Sequence, residues 1–235
     1  MKNTIVTLIV IISQTFVLAY NSDKEIPKDY ASKINAVQLF NSLNEKNEQM
    51  PDYTVFELAV RGYNKLKKDS AGIKKDILTL IDFSLSSNKK RLWVIDLENE
   101  KVLYNDLVAH GKNTGNEYAR VFSNTPATNM SSLGFYITGE TYFGKHGLSL
   151  FLDGQENGYN DNARKRAIVM HGATYVSNAF IKKYGRLGRS FGCPSISMTI
   201  YEELIKTIAN GTCMFIYYPD QDYLDNSSML LEGII

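Results

Sequence analysis

Apolar positions fall into two regimes along the chain. Between 30 and 88 they recur with helical spacing. Ala36, Leu39, Phe40 and Leu43 stand at i, i+3, i+4 and i+7, and Phe56, Ala59, Val60 and Tyr63 repeat the pattern after the opening signal Pro51-Asp52. Gly72 interrupts this stripe before Ile77, Leu78, Leu80 and Ile81. The segment 20–88 therefore reads as a helical N-terminal region packed on a neighbouring domain.

From residue 91 the texture changes. Arg91-Leu-Trp-Val-Ile-Asp-Leu97 and Val102-Leu-Tyr-Asn-Asp-Leu-Val108 predict two strands joined by a short polar turn. Further strands are expected at 134–142, 148–152, 167–170 and 212–218, separated by turns rich in Gly and Asn. Two short helices interrupt them. One covers 178–184, with Ser177 as N-cap and Gly185 just past its end; the other covers 200–209 and closes at Asn210-Gly211. Strands follow strands without alternating helices, which points to a mainly β, sandwich-like domain over 89–219 and a tail at 220–235.

The first residues have another purpose. Residues 4–19 carry no charge, follow Lys2, and end in Val17-Leu18-Ala19, with small residues suited to cleavage after Ala19. This run is short for a bilayer span, and no Cys follows to accept a lipid. The expectation is a signal peptide over 1–19 and an exported protein, free of the membrane after cleavage. Composition then removes one class of partner. The 235 residues hold 26 Lys+Arg against 25 Asp+Glu, a balance that argues against nucleic acid. Tyr (15) and Phe (11) are plentiful, as in β-rich proteins and peptide- or sugar-binding clefts. Cys193 and Cys213 are the two cysteines, and export would permit a bridge between them. Cys213, however, lies in the apolar run 212–218 and reads as a core residue.

Chemistry concentrates in two stretches. Arg166-Ala-Ile-Val-Met-His171-Gly172 ends an apolar run in His-Gly, and Gly188-Arg-Ser190-Phe-Gly192-Cys193-Pro-Ser195 follows. A thiol becomes a nucleophile as thiolate, so it needs a base or an electropositive setting. Gly192 suits a tight turn that exposes the sulfur and turns backbone N–H groups toward a developing oxyanion. Pro194 biases Cys193 toward extended geometry. Between Asn162 and Tyr201 stand seven basic residues (Arg164, Lys165, Arg166, Lys182, Lys183, Arg186, Arg189) and no acid. That block would favour thiolate and attract carboxylate-bearing substrates, or would form an ordinary solvated face.

These stretches resemble the active-site signature of the L,D-transpeptidases of bacterial cell walls, the YkuD-type catalytic domain. The narrower resemblance is to its murein L,D-transpeptidase variant. It is carried by Ser131-Ser-Leu-Gly-Phe-Tyr-Ile-Thr-Gly-Glu-Thr-Tyr142, Lys145-His-Gly147, Asn160-Asp-Asn-Ala-Arg164 and Gly185-Arg-Leu-Gly-Arg-Ser-Phe-Gly-Cys193, and covers about 75–219. It implies Cys193 as nucleophile, His171 with Gly172 as the proton-accepting His-Gly, Gly192 and Cys193 as oxyanion donors, and Ser190 as the signature hydroxyl. It implies a β sandwich-like fold, peptidoglycan stem peptides as substrate, a periplasmic or cell-wall location, and no cofactor or metal. The implied reaction runs through a thioester on Cys193, with release of D-Ala and transfer to a second stem. Phe191 stands where the common signature has His, and Pro194-Ser195 where it has an apolar residue followed by Asn or Arg. His146 is the reading's substitute imidazole, and Arg186 or Arg189 its carboxylate binder. The alternatives are an L,D-carboxypeptidase using water, a zinc hydrolase using the scattered His110, His146, His171 or Cys193, and a non-catalytic envelope-binding protein.

Overall fold

The computed structural model describes residues 33–46, 48–69 and 72–231. The expected signal peptide lies outside the described residues. Two helices come first, α1 (Ala36–Glu45) and α2 (Tyr53–Asp69). Asn35 caps α1 by accepting from the Gln38 amide, and Asp52 accepts from the Thr54 amide at the start of α2. Their stripes meet as expected: Phe40 sits 5.1 Å from Tyr53 and 5.4 Å from Phe56, ring centre to ring centre.

The remainder is built on one sheet of nine strands. In chain order these are β1 (Ile77–Asp82), β2 (Leu92–Asp96), β3 (Lys101–Asp106), β4 (Val108–Ala109), β5 (Gly134–Gly144), β6 (Gly147–Gly154), β7 (Val169–Ala173), β8 (Ser195–Ser197) and β9 (Cys213–Tyr217). In space they run β3-β2-β1-β9-β5-β6-β7-β8-β4, with β1–β9 and β7–β8 parallel and the other pairs antiparallel. The outermost strands, β3 and β4, are joined through Leu107 alone. The sheet therefore curls until its two edges adjoin, close to a barrel. Helices α3 (Asn178–Tyr184), α4 (Tyr201–Ile208) and α5 (Gln221–Asn226) complete the fold. Among the described residues no helix is long and apolar enough to cross a membrane.

The mainly β class holds, and one expectation inside it is corrected. Ile77–Asp82 is a strand, not the end of a helical segment. It lies between β2 and β9 with five of its six residues buried. A short apolar run buried on both faces has no period of its own, so helix and central strand look alike in sequence. The sheet thus begins at Ile77, and no structural break falls at 88. Helix α2 packs on β1 and β9, and its Gly62 also admits the Phe135 ring of β5, since a Cβ there would lie 2.0 Å from that ring. Phe135 in turn stacks on Phe215 at 4.1 Å. At the other end, buried Glu156 accepts from the Phe135 amide and from the hydroxyls of Tyr223 and Ser227, fastening α5 and the tail to the sheet.

Candidate active site

The loop between α3 and β8 carries Cys193, and its shape follows from its small residues. Ser190 Oγ donates to the Cys193 carbonyl at 2.6 Å and accepts from the Gly192 amide at 3.1 Å, closing a tight turn. Gly192 has φ +123°, and a Cβ there would press on the Met130 carbonyl at 2.8 Å, so glycine is required. A strap that follows β4, the edge strand paired with β8, holds the turn. Ser190 N–H donates to the His110 carbonyl, Lys112 N–H to the Ser190 carbonyl, and Ser131 Oγ to the Gly192 carbonyl. The Gly192 amide expected to face an oxyanion is thus engaged with Ser190, because the hydroxyl that closes the turn takes its hydrogen.

His171 reaches the same place through strand pairing. In the parallel β7–β8 pair His171 stands opposite Ser195, two residues beyond Cys193. Its Nδ1 lies 2.9 Å from the Gly172 carbonyl and its Nε2 3.0 Å from Ser195 Oγ. The β5–β6 turn, Lys145-His146, folds over the ring: His146 stacks on His171 with centres 4.3 Å apart and planes 17° apart. The structure therefore stacks His146 on His171 and sets Ser195 against its Nε2, with the turn of Ser190, Gly192 and Cys193 two residues from that contact; the sulfur itself is directed at the Ala167 carbonyl, 3.7 Å away.

Burial raises the Cys193 thiol above its ordinary pKa, and burial lowers His171 below the usual imidazole value. Both groups are held toward their neutral forms. Opposing this, the Val169 amide and the charges of Arg166 and Lys145 act on the sulfur in favour of thiolate, while its thiol points 3.7 Å from the Ala167 carbonyl. Arg166 is itself anchored on the carbonyls of Ser123 and Met130.

The other charged candidates sit elsewhere. Arg189 donates to the carbonyls of Lys112 and Gly115 and to Asn116 Oδ1, which makes it a tie to the strap. Arg186 donates to the Leu187 carbonyl at 2.6 Å. Arg164 is paired with Glu140 and Asp153. His110 is buried and accepts from Arg91 at 2.8 Å, with burial and that cation pushing its pKa down to about 3. Cys193 and Cys213 are free thiols, the latter fully buried in β9. Among the described residues no group of three His, Cys, Asp or Glu side chains is placed to hold a metal ion.

A family model described as the L,D-transpeptidase catalytic domain matches residues 47–217. The chain belongs to that family. Solved structures similar to it include an L,D-transpeptidase from Mycobacterium smegmatis (11% identity, 61% of this chain and 59% of that one, TM-score 0.38). Others are an L,D-transpeptidase from Stackebrandtia nassauensis (16%, 69% and 67%, 0.36) and the helical cell shape determining protein Pgp2 from Campylobacter jejuni (14%, 63% and 49%, 0.40). The chain thus spans about three fifths of the length of the first of these. No curated protein matches it. In this L,D-transpeptidase domain Arg166, from the expected basic block, and Lys145, from the β5–β6 turn, act on the sulfur. Sequence reasoning also passed over Ser195 and Tyr175, whose hydroxyls meet at 3.0 Å beside His171. The signal was present in the serine two places after the cysteine, but only strand register gives it a partner.

Proposed function

We propose that this domain is a cysteine acyltransferase of peptidoglycan stem peptides, working outside the cytoplasm after loss of residues 1–19. The observation that carries the reading is the β7–β8 register, which sets His171 opposite a residue two places from Cys193 at the end of a glycine turn. Once the Ser195 hydroxyl turns away from Nε2, His171 removes the thiol proton as the sulfur attacks the carbonyl between the L-centre and the adjacent D-residue. The Cys193 amide donates to the oxyanion. The imidazolium then protonates the departing D-Ala amine, leaving a thioester on Cys193. An amine of a second stem attacks this thioester, gives its proton to His171 and restores the thiol. Because both partners rest near neutrality, substrate must draw the proton across, and Arg166 and Lys145 favour the charge that forms on sulfur. Lys145, on the exposed turn over His171, takes over the carboxylate-binding role expected of Arg186 or Arg189.

Incubation with a carbapenem followed by intact-mass measurement tests the assignment. One covalent adduct is expected on the wild-type protein and none on Cys193→Ser. Folded wild-type protein that acquires no adduct, and releases no D-Ala from purified tetrapeptide stems, would overturn it.

A further inference from the structure

Beside His171 stands a pair of hydroxyls that the proposed reaction leaves unused. Ser195 is fully buried, and its Oγ lies 3.0 Å from His171 Nε2 and 3.0 Å from the Tyr175 hydroxyl. The direction of each hydrogen bond follows from the end of the chain. The Gly172 carbonyl can only accept, so Nδ1 carries the hydrogen and Nε2 of the neutral ring is an acceptor. Ser195 therefore donates to Nε2, and Tyr175 donates to Ser195.

The fold builds this arrangement deliberately. Parallel pairing of β7 with β8 puts Ser195 opposite His171. Gly188 gives the Tyr175 ring its room: a Cβ at Gly188 would lie 2.4 Å from Tyr175 Cβ, and the Gly188 amide donates to the Tyr175 carbonyl. The glycine in the motif before Cys193 thereby gains a purpose. Tyr175 also lies within electrostatic reach of Cys193.

We propose that Ser195 and Tyr175 are positioning residues for His171, forming a reversible hydroxyl chain that supports the imidazole in both of its protonation states. The proposal rests on Cys193 and His171 being the reacting pair. In the resting state the chain fixes the Nδ1–H tautomer. For Nε2 to take the thiol proton the Ser195 hydroxyl first turns from Nε2 to donate to Tyr175 Oη, whose hydrogen turns away; the freed lone pair then accepts the proton from the sulfur, and the new Nε2–H finds Ser195 Oγ beside it as an acceptor. Sulfur loses one proton and imidazole gains one. The hydroxyls rotate about their C–O bonds, and none of their covalent bonds breaks. An imidazolium buried without that acceptor would face the full cost of an unpaired charged donor. The titratable and charged groups around His171 are His146 and Lys145 from the β5–β6 turn, Cys193 and Arg166 on the nucleophile side, Tyr175, and Tyr201 of α4 against Gly172.

The test is a 15N NMR titration of the His171 ring in wild type, Ser195→Ala, Ser195→Thr and Tyr175→Phe, beside carbapenem acylation kinetics. Wild type should show the Nδ1–H tautomer. Ser195→Ala should lower the His171 midpoint by about one pH unit, a tenfold loss of proton affinity, for one hydrogen bond to a charged group. Ser195→Thr should restore it, and Tyr175→Phe should lower it less. The acylation rate constant should fall about tenfold in Ser195→Ala with apparent binding unchanged. An Nε2–H resting tautomer, or a midpoint unmoved in Ser195→Ala, overturns the chain. Absence of acylation in wild type overturns the catalytic reading instead, and the ring titration still decides the chain.

Discussion

Replacing Ser131 by Ala isolates the strap that holds the cysteine loop. Ser131 is buried, and its hydroxyl accepts from the Gly111 amide at 3.0 Å while donating to the Gly192 carbonyl at 3.1 Å. Its backbone is pinned separately, through the Ser131 amide to Thr114 Oγ1 at 2.8 Å, so the substitution leaves the main chain in place. Alanine fits the space and removes only the oxygen, leaving one buried N–H and one buried C=O without a partner. Each such group costs about 1–3 kcal/mol, so the loss should total about 2–6 kcal/mol. At about 2–4 °C per kcal/mol for a domain of this size, that corresponds to a fall in Tm of about 4–24 °C. Urea unfolding should show a lower midpoint with an unchanged slope, the sign of a change in stability alone. The loop should also loosen, so iodoacetamide should alkylate Cys193 faster. Ser197→Ala, which removes a surface hydroxyl bonded to Thr199, is the control and should stay within about 0.5 kcal/mol of wild type. A loss of stability no larger in Ser131→Ala than in that control, with alkylation unchanged, would show that the strap does not hold the loop.

Two further outcomes follow from the same geometry. Because burial raises the Cys193 thiol, its alkylation by iodoacetamide should climb to a midpoint above that of a free cysteine, about 8.5. The reaction should slow steadily as pH falls through 8, and a midpoint below 8 would mean that the resting sulfur is ionised and the neutral pair is wrong. Gly62→Ala should force Phe135 aside and destabilise the domain by about 1–3 kcal/mol in urea unfolding, with the substitution lying on α2, outside the strands. An unchanged midpoint would mean that α2 does not bear on the sheet.

Local chemistry was readable wherever neighbours in sequence are also neighbours in space. The two N-terminal stripes, the Ser177 cap and the Gly185 stop of α3 needed only the helical period and the left-handed tolerance of glycine, and Gly185 has φ +75°. Cys193, its flanking glycine and His171 could be named because the family signature is local and because the sulfur, the turn and the base are each encoded within a few residues. What failed was of another kind. Ile77–Asp82 looked like helix because its apolar run is flanked by partners 11 to 19 residues away on β2 and 135 residues away on β9.

By itself, then, the sequence determined the class of fold and the family, and it singled out Cys193 and His171 as the proposed nucleophile and base. These depend on side-chain period, turn chemistry and short spacing. The tertiary structure alone decided which cations act on the sulfur, which hydroxyl meets His171 Nε2, and that His146 lies on the ring of His171. Such relations are set by strand register and by the reach of a hairpin turn. A shift of one residue in β8 would replace Ser195 with a side chain on the opposite face without changing a single letter of the motif.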